Sequence, residues 1–519
     1  MQHRLLLYVL QAWLWAIPVT AWTSYDVSLR RSPRNGRQIS RTLSSLSEEE
    51  TNDSTTAGFP FIRRYDRFRV DLDRVERIVP ENVMEMDSDQ VSDSPVAAVS
   101  QFFQKASRAI QPRRNWKPDQ IQREAAKKFP SIPSDNIQVL SSHNPLAKPS
   151  GSYDFPTCWL MTQMFEATES VSTTTTTTTS NDSDQYLIII TDPFMTPVVM
   201  NYVNILEWIL NLSTPDDETT SPRFLKSVEF TTLSVGQQTA VPVIRMQTNT
   251  PPTPKESTQS SKTSADFADT IVNNRTRSWV QRLLVQRGIC PFTKHPDKSG
   301  QGLKAQRVPV GRIAYHASNT QSLIPLLTET WKAMYEMLLA GEEGISSILL
   351  AAPKFDDDFS FWAGPVFASL EASVVAAQAE EWLGVVCFHP SYQVNDGSSW
   401  PGFGHLHSVP RLEQWVNDKC TEAQEQQVAL ASPRPSRPRA QSKLNTDFLA
   451  TLSTEEIAAG GAWQRRTPHA TINVLRANQL AKAETVRDSS TLYPRNIQVL
   501  MELGNEQLQA DLEREQESR

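Results

Sequence analysis

The chain has 519 residues, of which 39% are hydrophobic, and it carries a formal net charge of −7. This length would nominally hold about three domains, but stretches rich in Pro, Ser and Thr reduce the expectation to two globular units separated by solvated segments. The acidic balance provides no basic field, so we expect no nucleic-acid partner. The four cysteines lie far apart without a Cys-x-x-Cys pair, which excludes a disulfide framework and a zinc ribbon.

The N-terminal segment has the composition of a targeting sequence. An apolar run at 5–17 precedes small residues at Val19 and Ala21, which predicts a signal peptide over 1–21. The run is too short for a membrane anchor, and we expect no membrane span in the mature chain. Residues 22–58 are rich in Arg and Ser, and they begin with Trp22. This arrangement resembles the bipartite presequence of algae with secondary plastids, so we predict delivery to a plastid through the secretory pathway. Secretion or retention in an endomembrane lumen is the alternative.

An α+β domain is predicted over 59–246. Ser94 and Pro95 are typical of a helix start, and a second helix is expected between Pro118 and Pro130. A threonine run at 173–179 is expected to be a disordered loop. The other predicted elements are strands at 158–165, 186–191, 228–235 and 240–246 and a helix at 201–212. These strands would form a mixed sheet.

A Pro-, Ser- and Thr-rich segment at 247–264 predicts a flexible linker, and a second domain follows over 265–504. A helix containing Trp279 should end at Gly288. Strands are then predicted at 307–314, 345–352 and 384–388, with helices at 322–340 and 367–383. An insertion is expected at about 395–464 and a polar, frayed tail at 505–519. The fold class is therefore α/β to α+β, with two mixed-sheet domains, helices packed on the sheets, and low-complexity linkers.

Four short motifs in the second domain carry a family resemblance. They run from Arg277 to Phe292, from Phe388 to Gln393, from Arg466 to Arg476 and from Arg495 to Ile497. Over about 270–504 they resemble, in the same order, the motifs of the domain-of-unknown-function 1415 family. That family has no assigned reaction, so the resemblance implies organisation and no substrate.

The chain departs from the family pattern at two places. Asn473 stands where the family usually has a histidine, three residues before the arginine of the third motif. The segment between the second and third motifs is also much longer than in the short bacterial members. Any role implied by that histidine is therefore uncertain for this chain, and the longer segment would cover or extend the site.

His389 and Cys290 are the candidate catalytic residues. His389 follows a predicted buried strand, which is a suitable position for acid–base chemistry or ligand binding. The alternative is a histidine that bonds the backbone of its own turn. Cys290 could act as a nucleophile or redox group activated by His389. However, it follows a helix C-terminus, whose dipole disfavours a thiolate, and a packed structural thiol is the alternative.

Four further residues are candidate ligand contacts. Arg466 and Arg476 offer forked donors for a carboxylate or phosphate, although surface ion pairs are the alternative. Tyr392 and Gln393 could donate to a ligand or satisfy loop carbonyls. No metal site is predicted, because the acids at 356–358 are better explained as helix caps and the histidine pair at 405 and 407 is a weak signal.

Two functions stay open for this uncharacterised protein. The first is a small-anion-binding or enzymatic site at the strand ends of the second domain, with Cys290 and His389 within reach of each other and Arg466 or Arg476 on the same rim. The second is a non-catalytic binding or assembly module whose motifs are structural. The sequence identifies no cofactor and no oligomeric state, and a small anionic ligand is the expected partner.

Overall fold

The structure is a computed structural model. It describes residues 118–142, 155–173, 185–212, 225–235, 239–248, 262–380, 382–395, 406–430, 444–486 and 489–518, all within one compact unit. The predicted presequence and the helix expected after Ser94 lie outside the described residues. The threonine run and the predicted linker also lie outside them, except at their margins. These predictions therefore stay predictions.

The first sheet has four strands in the order β1-β2-β4-β3. Strands β1 (Ile137–Leu140) and β2 (Gln185–Ile190) are parallel, whereas β3 (Leu225–Val235) and β4 (Thr239–Thr248) form an antiparallel pair that joins β2 through β4. The three helices of this region are α1 (Pro118–Lys128), α2 (Pro156–Thr173) and α3 (Thr196–Leu212). The mixed sheet and the strands β2, β3 and β4 confirm the sequence prediction.

Helix α2 corrects one prediction, because 158–165 was expected to be a strand. Apolar side chains recur at helical spacing along this segment, and Cys158, Met161 and Phe165 are all fully buried on one face. Pro156 occupies the first helical position, where its missing N–H costs nothing. The segment contains Leu, Met and Gln, which have high helix propensity, and only one β-branched residue, Thr162.

The second sheet has five strands in the order β5-β6-β7-β9-β8. They are β5 (Lys298–Ser299), β6 (Gly311–Ala317), β7 (Ile345–Ala351), β8 (Leu383–Phe388) and β9 (Thr471–Arg476). Strands β6 and β7 are parallel, and β9 lies between β7 and β8 and is antiparallel to both. Strands β6, β7 and β8 therefore point the same way, and their C-terminal ends meet the start of β9 at one edge.

Helices cover both faces of this sheet. Helix α4 (Lys262–Trp279) continues as a π-helical segment (Val280–Gln286) and ends before Gly288, whose φ is +64° as expected for a helix-ending glycine. Helix α5 (Leu323–Ala340) packs on β7. Helix α6 (Phe367–Ala376) follows a π-helical turn (Trp362–Val366).

The two sheets are joined through one hydrophobic core. Helix α5 packs on α2, and α6 packs on α3, so residues of both sheets and of all four helices belong to the same buried cluster. Trp331 of α5 lies at this junction, where its backbone carbonyl accepts a 3.4 Å hydrogen bond from Thr162 of α2. The two domains expected at 59–246 and 265–504 stay a prediction. If they fold independently, the boundary between them passes through this shared core.

One segment of the described chain, Phe359–Ala376, is long and apolar enough to cross a membrane by length and composition. The expectation that the mature chain has no membrane span stays a prediction. In the structure 72% of this window is buried inside the protein. Its hydrophobicity is explained by its position between the two sheets.

The C-terminal third adds helices on the other side of the sheet. Helices α7 (Val409–Leu430) and α8 (Thr454–Trp463) occupy the predicted insertion, while α9 (Ala477–Val486) follows β9. Helices α10 (Ser489–Leu503) and α11 (Asn505–Glu517) come last. The tail was expected to be frayed, but α11 packs on α4 and buries Leu508 and Leu512, together with two acids that bind an arginine of the π-helical segment.

Candidate functional site

The strand-end edge is the edge of the five-stranded sheet formed by the C-terminal ends of β6, β7 and β8 and the start of β9. In open sheets such edges are where ligands bind most often. The pairing of Phe388 with Thr471 places the ends of β8 and β9 side by side here. The predicted residues His389, Tyr392 and Arg466 all lie at this edge, next to the chain segments that connect β8 and β9.

His389 is fully buried at the end of β8, and both of its ring nitrogens have backbone partners. Its Nδ1 accepts a 3.0 Å hydrogen bond from the amide of Ser391, and its Nε2 lies 3.1 Å from the carbonyl of Phe355, to which it donates. Burial lowers the pKa of His389. This arrangement is the alternative in which the histidine bonds its own turn, and the catalytic role of His389 stays a prediction.

His389 should make stability fall in mild acid. Because its pKa is lower in the folded chain than the unfolded value of about 6.5, the unfolded chain binds the proton more readily. The contribution of His389 is therefore complete above pH 6.5 and is lost as the pH falls below it. We expect His389→Gln to lose about 1–3 kcal/mol of unfolding free energy at pH 8 and less at pH 5.5, as measured by urea denaturation.

The control for this pH experiment is His295→Gln, because the His295 side chain is 52% exposed. It should keep the pH dependence of the wild type. His316 and His407, whose pKa values burial also lowers, contribute in both proteins and cancel in the comparison. If the unfolding free energy of His389→Gln depends on pH as steeply as that of the wild type, the assignment of a buried, neutral imidazole is contradicted.

Cys290 is partly buried beside the end of the helical segment, where its sulfur lies 3.5 Å from the hydroxyl of Thr293. Burial raises the pKa of the thiol. The hydrogen-bond partners of Cys290 and His389 differ: Thr293 for the thiol, and Phe355 and Ser391 for the imidazole. The raised pKa and the helix C-terminus both disfavour a thiolate, and the nucleophilic role of Cys290 stays a prediction.

The two residues that follow His389 differ in their surroundings. Tyr392 is buried, and its hydroxyl accepts a 2.9 Å hydrogen bond from the amide of Leu406, so it anchors the loop beyond the edge. Burial raises the pKa of this hydroxyl. Gln393 is exposed and has no hydrogen bond within the described chain. Of these two predicted ligand contacts, only Gln393 keeps its side chain available.

The two predicted arginines lie at opposite ends of β9. Arg466 precedes the strand, stacks 4.4 Å above the ring of Trp463 and donates from Nε to the carbonyl of Tyr392. Arg476 ends the strand. It donates to the carbonyls of Met337, Gly341 and Ile345, and so it caps the C-terminus of α5. The six residues of β9 span about 20 Å. Arg476 therefore does not share a rim with the other predicted site residues.

His469 is the functional candidate that the sequence analysis did not identify. It lies just before β9, its residue is 7% exposed, and its Nδ1 is 2.8 Å from Oδ2 of Asp356. The other oxygen of Asp356 accepts a 2.6 Å hydrogen bond from the amide of Ala470. The Nε2 atom of His469 is buried without a hydrogen-bond partner. The sequence contained a signal that could have identified it, because this histidine belongs to the third motif and directly follows Pro468.

Two other buried nitrogen atoms without partners adjoin a single ring. The guanidinium of Arg465 lies 5.2 Å above the ring of Phe388, and its Nη1 is buried without an acceptor. The ring of Trp279 is 5.2 Å from the same phenyl group, and its Nε1 is also buried without an acceptor. Among the described residues, Arg465 and Arg466 form no ion pair, although the carboxylates of Asp356, Asp357 and Asp358 also act on His389 at this edge.

The fourth motif holds the first one in place. Arg495 donates to the carbonyl of Gly288 at 2.9 Å, and Asn496 donates to the carbonyl of Ile289 at 3.1 Å. Asn473, which replaces the usual family histidine, lies within β9 and accepts a 2.9 Å hydrogen bond from Ser347. These contacts fix the backbone before Cys290 and the centre of the sheet, which explains the motifs without assigning them chemistry.

Two of the acids weighed as metal ligands, Asp356 and Asp358, have other partners. Asp358 caps a short helix by accepting a hydrogen bond from the amide of Phe361, as expected for the acids at 356–358, whereas Asp356 binds His469. His405 lies outside the described residues. Within the part of the chain that the structure describes, no group of three or more His, Cys, Asp or Glu side chains is arranged to hold a metal ion.

Comparisons with known proteins agree with the motif analysis. Residues 271–401 match the model of the family described as Protein of unknown function (DUF1415). No curated protein and no solved structure gives a match. The matched segment contains the first two motifs, while those beginning at Arg466 and Arg495 lie beyond its end. The resemblance is confirmed over 271–401, and this part of the chain is similar to a family of unknown function.

Proposed function

We propose that the strand-end edge binds a small anion, a carboxylate or a phosphate, through Arg465 and Arg466. Forked guanidinium donors match the geometry of both anions. The family similarity over 271–401 includes Trp279 and Phe388, which line the same region. The proposal keeps the location and the kind of ligand that the sequence analysis expected. Of the two arginines expected there it keeps Arg466 and omits Arg476, and it adds Arg465.

The observation that carries the proposal is the buried, unpartnered Nη1 of Arg465. Arg465 is only partly buried, but this donor atom is shielded from water, and its lost hydration is not replaced by an acceptor. Trp279 Nε1 adds a second buried donor beside the same phenyl ring. A bound anion that accepts from these donors would remove both penalties, and that is why we infer an anion and not an apolar ligand.

Arg466 supports the same conclusion. Its Nε binds the carbonyl of Tyr392 and its plane stacks on Trp463, so the guanidinium is held in one orientation. Burial lowers its pKa, the direction expected for a cation that has lost water without gaining an anion. A prealigned donor loses little conformational entropy when a ligand binds.

A non-catalytic binding or assembly module is the second candidate. It is favoured by the partners of His389, Cys290, Tyr392 and Arg476, each of which is satisfied separately within the fold. Under this alternative the motifs determine the fold, and the anion site binds without transforming its ligand. Anion binding is common to both alternatives, so it is tested first.

The test uses inorganic phosphate and acetate as probes at constant ionic strength, with chloride as the reference anion. We expect either probe to raise the thermal midpoint of the wild type, because a ligand of the folded state stabilises it. Arg465→Met should weaken binding roughly tenfold or more, which is the value of a lost charge-assisted hydrogen bond. Its unfolding free energy without the probe should be unchanged or higher, since a buried donor atom without an acceptor is removed.

Arg123→Met is the matched control, because Arg123 is exposed on α1 in the other sheet region. It should bind the probes like the wild type. The proposal fails if neither probe shifts the wild-type midpoint more than chloride does. It also fails if Arg465→Met is destabilised while probe binding is retained, since Arg465 would then be a structural residue.

A further inference from the structure

We propose that His469, positioned by Asp356, is the proton-accepting contact of this site, and that it selects small acids carrying a hydroxyl group. The inference rests on the proposed anion binding by Arg465 and Arg466. It goes beyond that function because it specifies the ligand class and adds a residue that none of the predicted contacts includes.

The carboxylate of Asp356 determines which ring nitrogen of His469 carries the proton. Its Oδ2 lies 2.8 Å from Nδ1, and its Oδ1 is held by the amide of Ala470, so the carboxylate has a fixed orientation. A carboxylate accepts only, and of the two tautomers of an imidazole it therefore selects the one with hydrogen on Nδ1. In that tautomer Nε2 presents a lone pair and needs a donor.

No group in the described chain supplies that donor. Nε2 of His469 is buried and has no hydrogen-bond partner, whereas both nitrogens of the neighbouring His389 are bonded. Buried polar atoms are nearly always paired, and leaving one unpaired costs about 1–3 kcal/mol. The two histidines of this edge therefore differ: one is fully used by the fold, and the other has a buried acceptor to offer.

His469 is close enough to the arginines to share a ligand with them. It lies three positions after Arg466, so their Cα atoms are at most about 11 Å apart. Both side chains can extend over part of this distance. A ligand that bridges them combines an anionic group at the guanidinium side with a hydroxyl that donates to Nε2. Because Nε2 is buried, the hydroxyl-bearing part must be small.

The experiment compares pairs of acids that differ by one hydroxyl group: acetate with glycolate, and propionate with lactate and 3-hydroxypropionate. We expect at least one hydroxy acid to bind the wild type about two- to tenfold more tightly than its partner, which corresponds to one neutral hydrogen bond. The ¹⁵N resonance of His469 Nε2 should shift with that hydroxy acid and not with the plain acid.

Two variants separate positioning from folding. His469→Phe should bind acetate but lose the preference for hydroxy acids. Asp356→Asn should lose it too, since an amide can donate to Nδ1 and so favours the tautomer whose Nε2 carries hydrogen. His295→Gln, at an exposed histidine, should keep the preference.

The outcomes distinguish this inference from the proposed function. If no acid binds the wild type, the anion site itself is refuted. If acetate binds and Arg465→Met abolishes it, but no hydroxy acid is preferred and Nε2 does not respond, the anion site stands and the role of His469 is refuted. A preference that persists in His469→Phe would equally refute it.

Discussion

Trp331→Ala should be the most destabilising substitution at the junction of the two sheets, with a loss of about 3–5 kcal/mol in the free energy of unfolding. The Trp331 side chain is fully buried, and its Nε1 donates a 2.8 Å hydrogen bond to Ser373 of α6. The substitution leaves a large cavity in the shared core and removes one of the two hydrogen bonds of the Ser373 hydroxyl, which still donates to the carbonyl of Leu370. We expect the circular dichroism and fluorescence transitions to shift to lower urea by the same amount.

Leu339→Ala provides the control on the same helix, because Leu339 is 49% exposed. It should change the unfolding free energy by no more than about 0.5 kcal/mol. Hydrogen exchange then decides between one folding unit and two. If amides of both sheets lose protection together in Trp331→Ala, the sheets unfold as one unit. If only the second sheet is affected, the two domains predicted from the sequence fold independently.

The sequence predicted elements well where apolar periodicity and turn residues agreed. The helix ending at Gly288 and the buried strand at 384–388 are examples, and both lie where predicted. The segment 158–165 was predicted as a strand but is a helix. Its apolar residues are so closely spaced that a helical and a strand periodicity cannot be distinguished from the local sequence. The packing of α2 on α5 then determines the outcome, and no local pattern contains that information.

The meeting of the strand ends could be predicted from the sequence, whereas the contacts of the side chains at this edge could not. The strand ends meet as expected, because strand direction follows from the alternation of helices and strands. The bond of His389 to its own turn was one of the alternatives, but its contact with Phe355 and those of Arg476 could not be deduced, since these backbone carbonyls belong to chain segments distant in sequence. His469 was missed for the same reason: its significance depends on Asp356, which lies 113 residues away.

The contact between α11 and the π-helical segment gives the second large prediction. Arg282 forms a bidentate pair with Glu515 at 2.6 and 2.8 Å and lies 3.7 Å from Asp511, and all three side chains are at most 18% exposed. Removing one partner of a buried pair leaves an uncompensated charge and costs about 3–5 kcal/mol. We therefore expect Arg282→Met to lose that amount, with early loss of hydrogen-exchange protection in α11.

The pH dependence of this loss identifies its cause. Desolvation raises the pKa of Glu515 above its unfolded value, even though Arg282 opposes the shift. A raised carboxyl pKa gives a contribution that is present below the unfolded pKa and is lost as the pH rises through the folded one. Without Arg282, ionised Glu515 has lost its main cation, so more stability is lost as the pH rises. The difference in unfolding free energy between wild type and Arg282→Met should therefore be greatest at neutral pH and smaller in acid.

Two matched variants test whether the charge or the packing is responsible. Arg514→Met removes the other cation bonded to Asp511, but its side chain is 69% exposed, so it should cost no more than about 1 kcal/mol. The double variant Arg282→Met with Glu515→Leu removes both charges and should recover most of the stability lost in Arg282→Met. If the double variant is no more stable than Arg282→Met alone, the aliphatic packing of Arg282 is what holds α11, and the ion pair contributes little.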